Sequence, residues 1–376
     1  MKIGITCYPV AGGSGIVATE LGQQLAMRGH QVHFVSYALP FRLDRYQPNV
    51  FYHGVETTAY PLFKYPPYTE TLSAKMAEVA RSVGLDVLHV HYAIPHATCA
   101  FLAKQILASM GESIPKAITT LHGTDITLVG SDPSFHDITR FSINCSDGVT
   151  AVSRYLADET TEVFKVDKTI RVIHNFFDAQ RFKPHTNQCQ RKEFAEPNEF
   201  LITHISNFRP VKRILDVIDT FEKIQAEIPA KLLLIGEGPD TVLARRQVNK
   251  RNLTSKVIFL GNQSRVEAML PCSDLFLLPS EEESFGLAAL EAMACGVPVI
   301  STFGTGLTEV IDHGVDGFLL PVGDTNAMAR AGINLLTDTV RLKQFKQAAA
   351  ELALQKFSAD KIVAEYERYY EEILNG

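Results

Sequence analysis

The sequence predicts an α/β protein of two doubly wound, Rossmann-like domains facing across a cleft, and three observations carry that prediction. Short apolar runs alternate with segments of helical pattern, as in βα units around a parallel sheet. The alternation stops in a polar stretch at 179–198, which holds Pro184 and Pro197, and then restarts. The chain has 376 residues, enough for two domains of ordinary size.

In the first half, "KIGITC", "QVHFVS", "DVLHVH", "AITTLH", "GVTAVS" and "TIRVIH" read as strands. Helical patterns fall between them over 16–28, 73–83, 96–109, 134–144 and 154–164, and Gly29 is placed to end the first. In the second half "FLITHIS", "KLLLIG", "KVIFLG", "LFLLPS" and "VPVIS" read as strands, with helices over 214–226, 241–250, 265–270 and 286–295. The expected division is an N-terminal domain over 1–178, a linker region over 179–198 and a C-terminal domain over 199–356. The last domain includes helical patterns at 325–336 and 340–355. A C-terminal helix over 357–376 presents Tyr366, Tyr369, Tyr370 and Ile373 as an apolar stripe. That stripe is expected to pack back across the domain boundary, with a homo-oligomer contact as the alternative. Its acid-rich polar face argues against a lipid surface.

Composition narrows the function classes. The chain is 46% hydrophobic and 21% charged, as soluble globular proteins are. A formal charge of −6 argues against a nucleic-acid binder working through a broad basic surface. No apolar run is long enough to cross a bilayer, and the N-terminus does not read as a signal peptide, so no membrane partner is expected. The six cysteines are scattered without a CxxC or a zinc-type spacing. Most are expected to be reduced and buried, in a cytoplasmic protein.

The chemistry falls on loops that follow strands. "PVAGGSGIVATE" formally fits a dinucleotide fingerprint through Gly13, Gly15 and Ala18. No acid follows the second strand to hold a ribose, and the nearby Asp44 lies beyond Pro40. A structural turn and a direct ligand contact therefore remain beside the dehydrogenase reading. In the second case glycine lets backbone approach a ligand while the helix start offers N–H groups to an anion. In "HVHYAIPHATC", His89 and His91 share a strand face, which raises a metal pair. Without an acid or cysteine to complete the set, satisfied structural histidines are the better account. "TTLHGTD" places Thr120, His122 and Asp125 where α/β folds contact ligands, and His122 can offer a neutral nitrogen or a shared proton there.

In "SNFRPVKR", Arg209, Lys212 and Arg213 follow a strand. A solvated basic patch is one reading. The other is a diphosphate site, with Arg209 gripping oxygens through its fork and Lys212 adding a compact charge. "GEGP" at 236–239 ends another strand and can help form a nucleotide pocket. "PSEEESFGLAALEAMACGVPVI" sets Glu283 before Gly286 and Glu291 inside an apolar helix. Glu281 and Glu282 suit a solvated helix start, but Glu291 needs hydrogen-bonding partners, which ligand hydroxyls would supply.

The Glu-x7-Glu spacing at Glu283 and Glu291, "AMACGVPVI", "SNFRPVKR", "GGSG" and "LHGTD" together resemble the retaining glycosyltransferases of family 4, over essentially the whole chain. The resemblance implies a GT-B architecture, a nucleotide-sugar donor on the second domain and an acceptor on the first. "KYPPY", "HYAIPHA" and "TTLHGTDIT" resemble the members of that family acting in bacillithiol synthesis, which implies UDP-N-acetylglucosamine as donor and L-malate as acceptor. Both are substrates; no cofactor is implied and no metal is expected to be required.

By the same resemblance, Glu283 contacts sugar hydroxyls, Glu291 the uridine ribose, and Arg209 and Lys212 the diphosphate. Ser284, Phe285 and Gly286 join the donor site, and the loop with Gly13 and Gly15 approaches donor phosphate or acceptor. His122 lies near the transferred sugar, and Ser14, Tyr92, Thr120 and His122 touch malate. Where the family commonly has Gly-Gly-Ile/Leu-Pro-Glu, this chain has Thr305-Gly306-Leu307-Thr308-Glu309. Thr305 is expected to narrow the pocket or demand another backbone angle, and Thr308 to relax the following turn. The rivals are a family 4 enzyme with another small acceptor and a non-catalytic nucleotide-sugar-binding protein.

Overall fold

The computed structural model describes residues 1–43, 46–57, 62, 64–128, 132–184, 189 and 191–376; Asp44 lies outside them. The chain forms two compact units, Met1–Asn175 with Asp360–Gly376, and Phe176–Ala359.

The first unit holds a parallel sheet of β1 (Lys2–Thr6), β2 (Gln31–Ser36), β3 (Val50–Gly54), β4 (Val87–His91), β5 (Lys116–Leu121), β6 (Gly148–Ala151) and β7 (Ile170–Val172). Their order is β3-β2-β1-β4-β5-β6-β7, so the winding reverses between β1 and β4, where such sheets open a crevice for ligands. Flanking helices are α1 (Gly13–Met27), α2 (Tyr68–Val83), α3 (Thr98–Ser109), α4 (Pro133–Asn144) and α5 (Arg154–Phe164). The helix starts are locally specified. Asp132 caps α4 by accepting from Ser134 N with Pro133 behind it, and Ser153 caps α5 by accepting from Leu156 N.

The second unit repeats the plan with β8 (Phe200–Ile205), β9 (Ala230–Ile235), β10 (Val257–Gly261), β11 (Leu275–Leu278), β12 (Val299–Thr302) and β13 (Gly317–Leu320), in the order β10-β9-β8-β11-β12-β13. Its reversal lies between β8 and β11. Helices α6 (Ile214–Glu227), α7 (Thr241–Lys250), α8 (Leu287–Ala294), α9 (Thr325–Thr337) and α10 (Thr339–Phe357) belong to it. Ile214, Val217, Ile218, Phe221 and Ile224 give α6 a buried stripe at helical spacing, packed on Leu232, Leu234 and Leu275 of the sheet.

The last helix, α11 (Ala359–Asn375), returns to the first unit. Tyr366 and Tyr370 are fully buried, and Tyr369 Oη accepts from Val149 N at 2.9 Å. A Cβ on Gly148 would stand 2.7 Å from that phenol oxygen, so the sheet needs glycine there. Glu367 on its outer side pairs with Arg28 at 2.7 Å and His30 at 2.9 Å.

Several expectations change. β3 escaped sequence reading because it is an edge strand with Phe51 and Tyr52 partly exposed, so no apolar run announces it. The expected helix over 265–270 is two short turns, Val266–Ala268 and Leu270–Cys272, broken at Met269, with Pro271, which lacks an N–H to continue a helix, inside the second. Helix α2 begins earlier than expected, at Tyr68 directly after Pro67.

The polar segment at 179–198 also has a more defined place than a linker implies. Its described residues lie in the second unit, where Arg191 pairs with Asp274 at 2.6 Å and Cys189 is disulfide-bonded to Cys272. Cys7, Cys99, Cys145 and Cys295 are free, and Cys145 alone among them is not fully buried. The reduced state expected of the cysteines therefore does not extend to the Cys189–Cys272 pair.

Candidate functional site

In the second unit, loops after β8, β9, β11 and β12 meet at the carboxyl edge of the sheet. Arg209 stands exposed before the turn Pro210–Lys212, and Lys212 N donates to Arg209 O at 2.8 Å. The next backbone link crosses to the acidic loop, where Glu281 N donates to Val211 O at 2.9 Å. Side chains then close the pair: Lys212 Nζ lies 2.7 Å from Glu283 Oε1, which also accepts from Ser280 Oγ at 2.9 Å. The Lys212 and Glu283 side chains keep 20% and 12% of their surface exposed, so both groups remain within reach of an incoming ligand.

Glycines make these loops possible. Cβ atoms on Gly236 and Gly238 would lie 1.9 Å and 1.8 Å from Ser206 O and Asn207 O, and one on Gly306 would lie 2.0 Å from Ser284 O. No side chain fits such spaces, so "GEGP" packs directly under the basic loop. Gly306 N donates to Glu283 O at 2.8 Å and couples the next loop to the acidic one.

Gly286 ends the acidic loop at φ 90° and opens α8. The first N–H groups of that helix lack helical acceptors, which creates a partial positive end for an anion. Glu291, 4% exposed, sits inside the same helix. The Phe285 side chain is buried edge-on against Phe357 at 5.5 Å and packs in the core. Thr305 adopts φ −132°, an extended angle open to any residue, and caps the next turn by accepting from Leu307 N. Thr308 Oγ1 donates to Thr305 O at 2.9 Å. The two threonines thus stabilise the turn that they were expected to strain or relax.

His204 and Ser280 were not singled out from sequence. His204 Nδ1 donates to Leu277 O at 2.8 Å, leaving Nε2 to accept from Ser206 Oγ at 2.7 Å. Burial, helped by the Lys212 charge, lowers its pKa to about 4. Ser280 had a visible signal, its place directly before the acid cluster, but only the fold aims its hydroxyl at Glu283.

In the first unit the corresponding edge is built by α1, β4 and β5. Gly15 is buried where a Cβ would meet Tyr8 O at 2.5 Å, whereas Gly13 faces open space and Ser14 is partly exposed. Gly15 therefore serves packing, and Gly13 and Ser14 are the surface that the helix start offers. Tyr92 has φ 97°, a strained angle for a side chain of this size, and its ring lies 5.8 Å from that of His122. Its amide donates to Thr120 O at 3.0 Å. Tyr8, unnoticed in the sequence, meets Tyr92 edge-on at 5.3 Å.

Asp125 is an anchor facing inward. Its carboxylate accepts from Ala93 N at 3.0 Å, His122 N at 3.2 Å and Gly123 N at 2.9 Å, binding the ends of β4 and β5 together. Burial raises its pKa while those backbone donors oppose the rise.

Thr120 is fully buried, and its hydroxyl lies 2.7 Å from both His89 Nε2 and Thr150 Oγ1, so it joins two strands of the sheet to the buried histidine. His89 is held at its other nitrogen by Tyr370 Oη at 2.7 Å, which gives it a structural role. Among the described residues no group of three or more His, Cys, Asp or Glu is placed to hold a metal. His91 and His122 stand 2.8 Å apart through Nδ1 and Nε2, and burial lowers His122 to about 3. The two strand-edge clusters thus offer cations and helix N–H groups on one unit, and hydroxyls with a neutral imidazole on the other.

The chain is similar to known proteins over its whole length. Residues 11–181 match the family described as Glycosyltransferase Family 4, and residues 186–352 match Glycosyl transferases group 1. The N-acetyl-alpha-D-glucosaminyl L-malate synthase of Bacillus anthracis is 50% identical over 375 residues, covering 100% of this chain and 97% of that protein. A D-inositol 3-phosphate glycosyltransferase of Rhodococcus erythropolis is 30% identical over 250 residues, covering 61% and 56%.

Among solved structures, the sucrose-phosphate synthase of Thermosynechococcus elongatus superposes with TM-score 0.80 at 22% identity, covering 100% of this chain and 99% of that one. Anabaena Alr3699/HepE in complex with UDP-glucose gives 0.81 at 19% identity, covering 99% and 100%. At such identities the structural likeness speaks for the fold, which is GT-B.

Proposed function

Since the chain belongs to glycosyltransferase family 4, we propose that it transfers N-acetylglucosamine from UDP-N-acetylglucosamine to the hydroxyl of L-malate, with retention at the anomeric carbon. The observation that carries donor and acceptor is the full-length likeness to the Bacillus anthracis synthase.

In this reading the second unit holds the donor. Arg209 and Lys212 neutralise the diphosphate, while the start of α8, with Ser284 and Gly286 before it, receives a phosphate or the sugar beside it. Glu283 accepts from sugar hydroxyls and Glu291 from the uridine ribose. The Lys212–Glu283 pair supports this division, because one donor molecule bears both an anion and hydroxyls to match it. The first unit holds the acceptor through Ser14 and Tyr92, with the Gly13 backbone near an anionic group and His122 near the sugar.

The malate oxygen forms a bond to the anomeric carbon as the bond from that carbon to the diphosphate oxygen breaks. The departing phosphate takes the hydroxyl proton on the same face. Glu283 and Glu291 are not an acid–nucleophile pair of the glycosidase kind, since both face donor hydroxyls. The protein's work is mostly electrostatic, with charges fixed in advance where the leaving group becomes more negative.

Incubation with UDP-N-acetylglucosamine and a panel of small hydroxy acids tests the assignment. N-acetylglucosaminyl malate and UDP should form together, in preference to other products. A larger yield from another acid would reassign the acceptor, and binding without transfer or hydrolysis would favour a non-catalytic role. Glu291→Ala should weaken UDP binding by about 1.5–3 kcal/mol, the worth of charge-assisted hydrogen bonds. Calorimetry finding unchanged UDP affinity would remove Glu291 from the ribose site.

A further inference from the structure

Placing His122 beside the transferred sugar does not say what the ring offers there, and the following inference rests on that placement. His122 Nε2 and His91 Nδ1 are 2.8 Å apart, close enough for one proton to be shared in a hydrogen bond. Both rings are neutral at neutral pH: burial is the first cause in each, lowering His122 to about 3 and His91 well below its ordinary value. A neutral imidazole carries one N–H, so the shared proton belongs either to His91 or to His122.

The far nitrogen of His91 separates the two arrangements. His91 Nε2 is buried without a hydrogen-bond partner. If His122 donated, the proton of His91 would sit on that Nε2 and leave a buried N–H unanswered. If His91 donates from Nδ1, its Nε2 is left as a bare lone pair. Orphaned buried N–H groups are the rarer defect, and under-satisfied acceptors are better tolerated.

Neighbouring groups hold His91 in place for this task. Its carbonyl accepts from His96 Nδ1 at 2.6 Å, and its ring stacks on His89 at 4.5 Å. His89 is in turn held at both nitrogens by Tyr370 and Thr120, each at 2.7 Å. A row of packed rings therefore runs from α11 to His122.

We infer that His91 is a positioning residue, donating from Nδ1 to His122 Nε2 and fixing the His122 proton on Nδ1, so that His122 meets substrate as a hydrogen-bond donor and not as a base. With Nε2 occupied and Nδ1 protonated, His122 has no lone pair for the acceptor proton. That proton is left to the departing phosphate.

Long-range proton–nitrogen spectra of the full chain labelled with ¹⁵N-histidine distinguish the two tautomers, and His122→Gln identifies the His122 signal. The expected spectrum near neutral pH shows His122 protonated on Nδ1. In His91→Leu the proton should move to Nε2, with kcat reduced about tenfold, as for one lost hydrogen bond in the transition state, and donor KM changed less. His91→Asn, whose amide can replace the Nδ1 donor, should restore the tautomer and most of the kcat.

His122 protonated on Nε2 in the parent would overturn the inference, as would a folded His91→Leu with unchanged tautomer and kcat. Should His91→Leu fail to fold, the parent spectrum and His91→Asn decide. The spectra need no substrate. Failure of malate transfer alongside the expected tautomer would therefore count against the acceptor assignment alone.

Discussion

Lys212→Ala should lower kcat by about 10²–10³, the loss typical of removing one fixed donor aimed at developing negative charge. Its melting temperature should stay close to that of the parent. The loop carrying Lys212 is held by backbone bonds from Lys212 N to Arg209 O and from Glu281 N to Val211 O, which the substitution leaves intact. Glu283 keeps its bond from Ser280 Oγ and stays 12% exposed, so its carboxylate remains hydrogen-bonded and in reach of water when the partner charge is removed. Catalysis has no such replacement: Arg209, the other cation proposed for the leaving group, already acts in the parent and adds nothing new when Lys212 is removed. Steady-state rates beside a thermal melt provide the test. A kcat within twofold of the parent, with an unchanged melt, would take Lys212 out of the mechanism.

Acidification should destabilise the first unit before the second. Burial lowers His33 and His96 to about 4 and His89 and His122 to about 3, and His91 well below its ordinary value, all in the first unit. A histidine with a depressed folded pKa contributes stability that is complete above its unfolded value near 6.5. That stability is lost as pH falls toward the folded value, because the unfolded chain binds the proton first. Each such ring removes about 1.4 kcal/mol per pH unit within that window. Asp125, with a raised pKa, opposes the trend in this unit.

The second unit has a different balance. His204 falls to about 4, but burial raises Asp316 to about 6, and its protonation on acidification offsets the histidine. Hydrogen exchange at about pH 7 and about pH 5, corrected for intrinsic rates, should therefore show protection falling first in β1, β4 and β5. Equal protection at both values, or earlier loss in β8 and β11, would contradict this assignment of neutral buried histidines.

The sequence showed most of the fold because most strands are buried on both faces and appear as unbroken apolar runs. β3 lacked that signal, being half exposed at the sheet edge. The site was legible in residue types more than in directions. Lys212 and Glu283 stood out separately, yet their 2.7 Å contact spans 71 positions that only the β8–β11 pairing brings together.

Thr120 and Asp125 lie at the strand end that suggested ligand contact, but their side chains point into the protein. The reason is local: His89 and Thr150 take up the threonine hydroxyl, and three backbone amides take up the carboxylate. Phe285, in the middle of the motif, is likewise claimed by Phe357. The Cys189–Cys272 bond joins residues 83 apart and leaves no spacing signature.

A crystal structure of the protein with UDP tests the central claim, that the carboxyl-edge loops of the second unit grip the leaving group. The expected complex has the diphosphate against Arg209 and Lys212 at the start of α8, with the ribose hydroxyls on Glu291. A nucleotide bound elsewhere, with Lys212 and Glu291 both untouched, would contradict it.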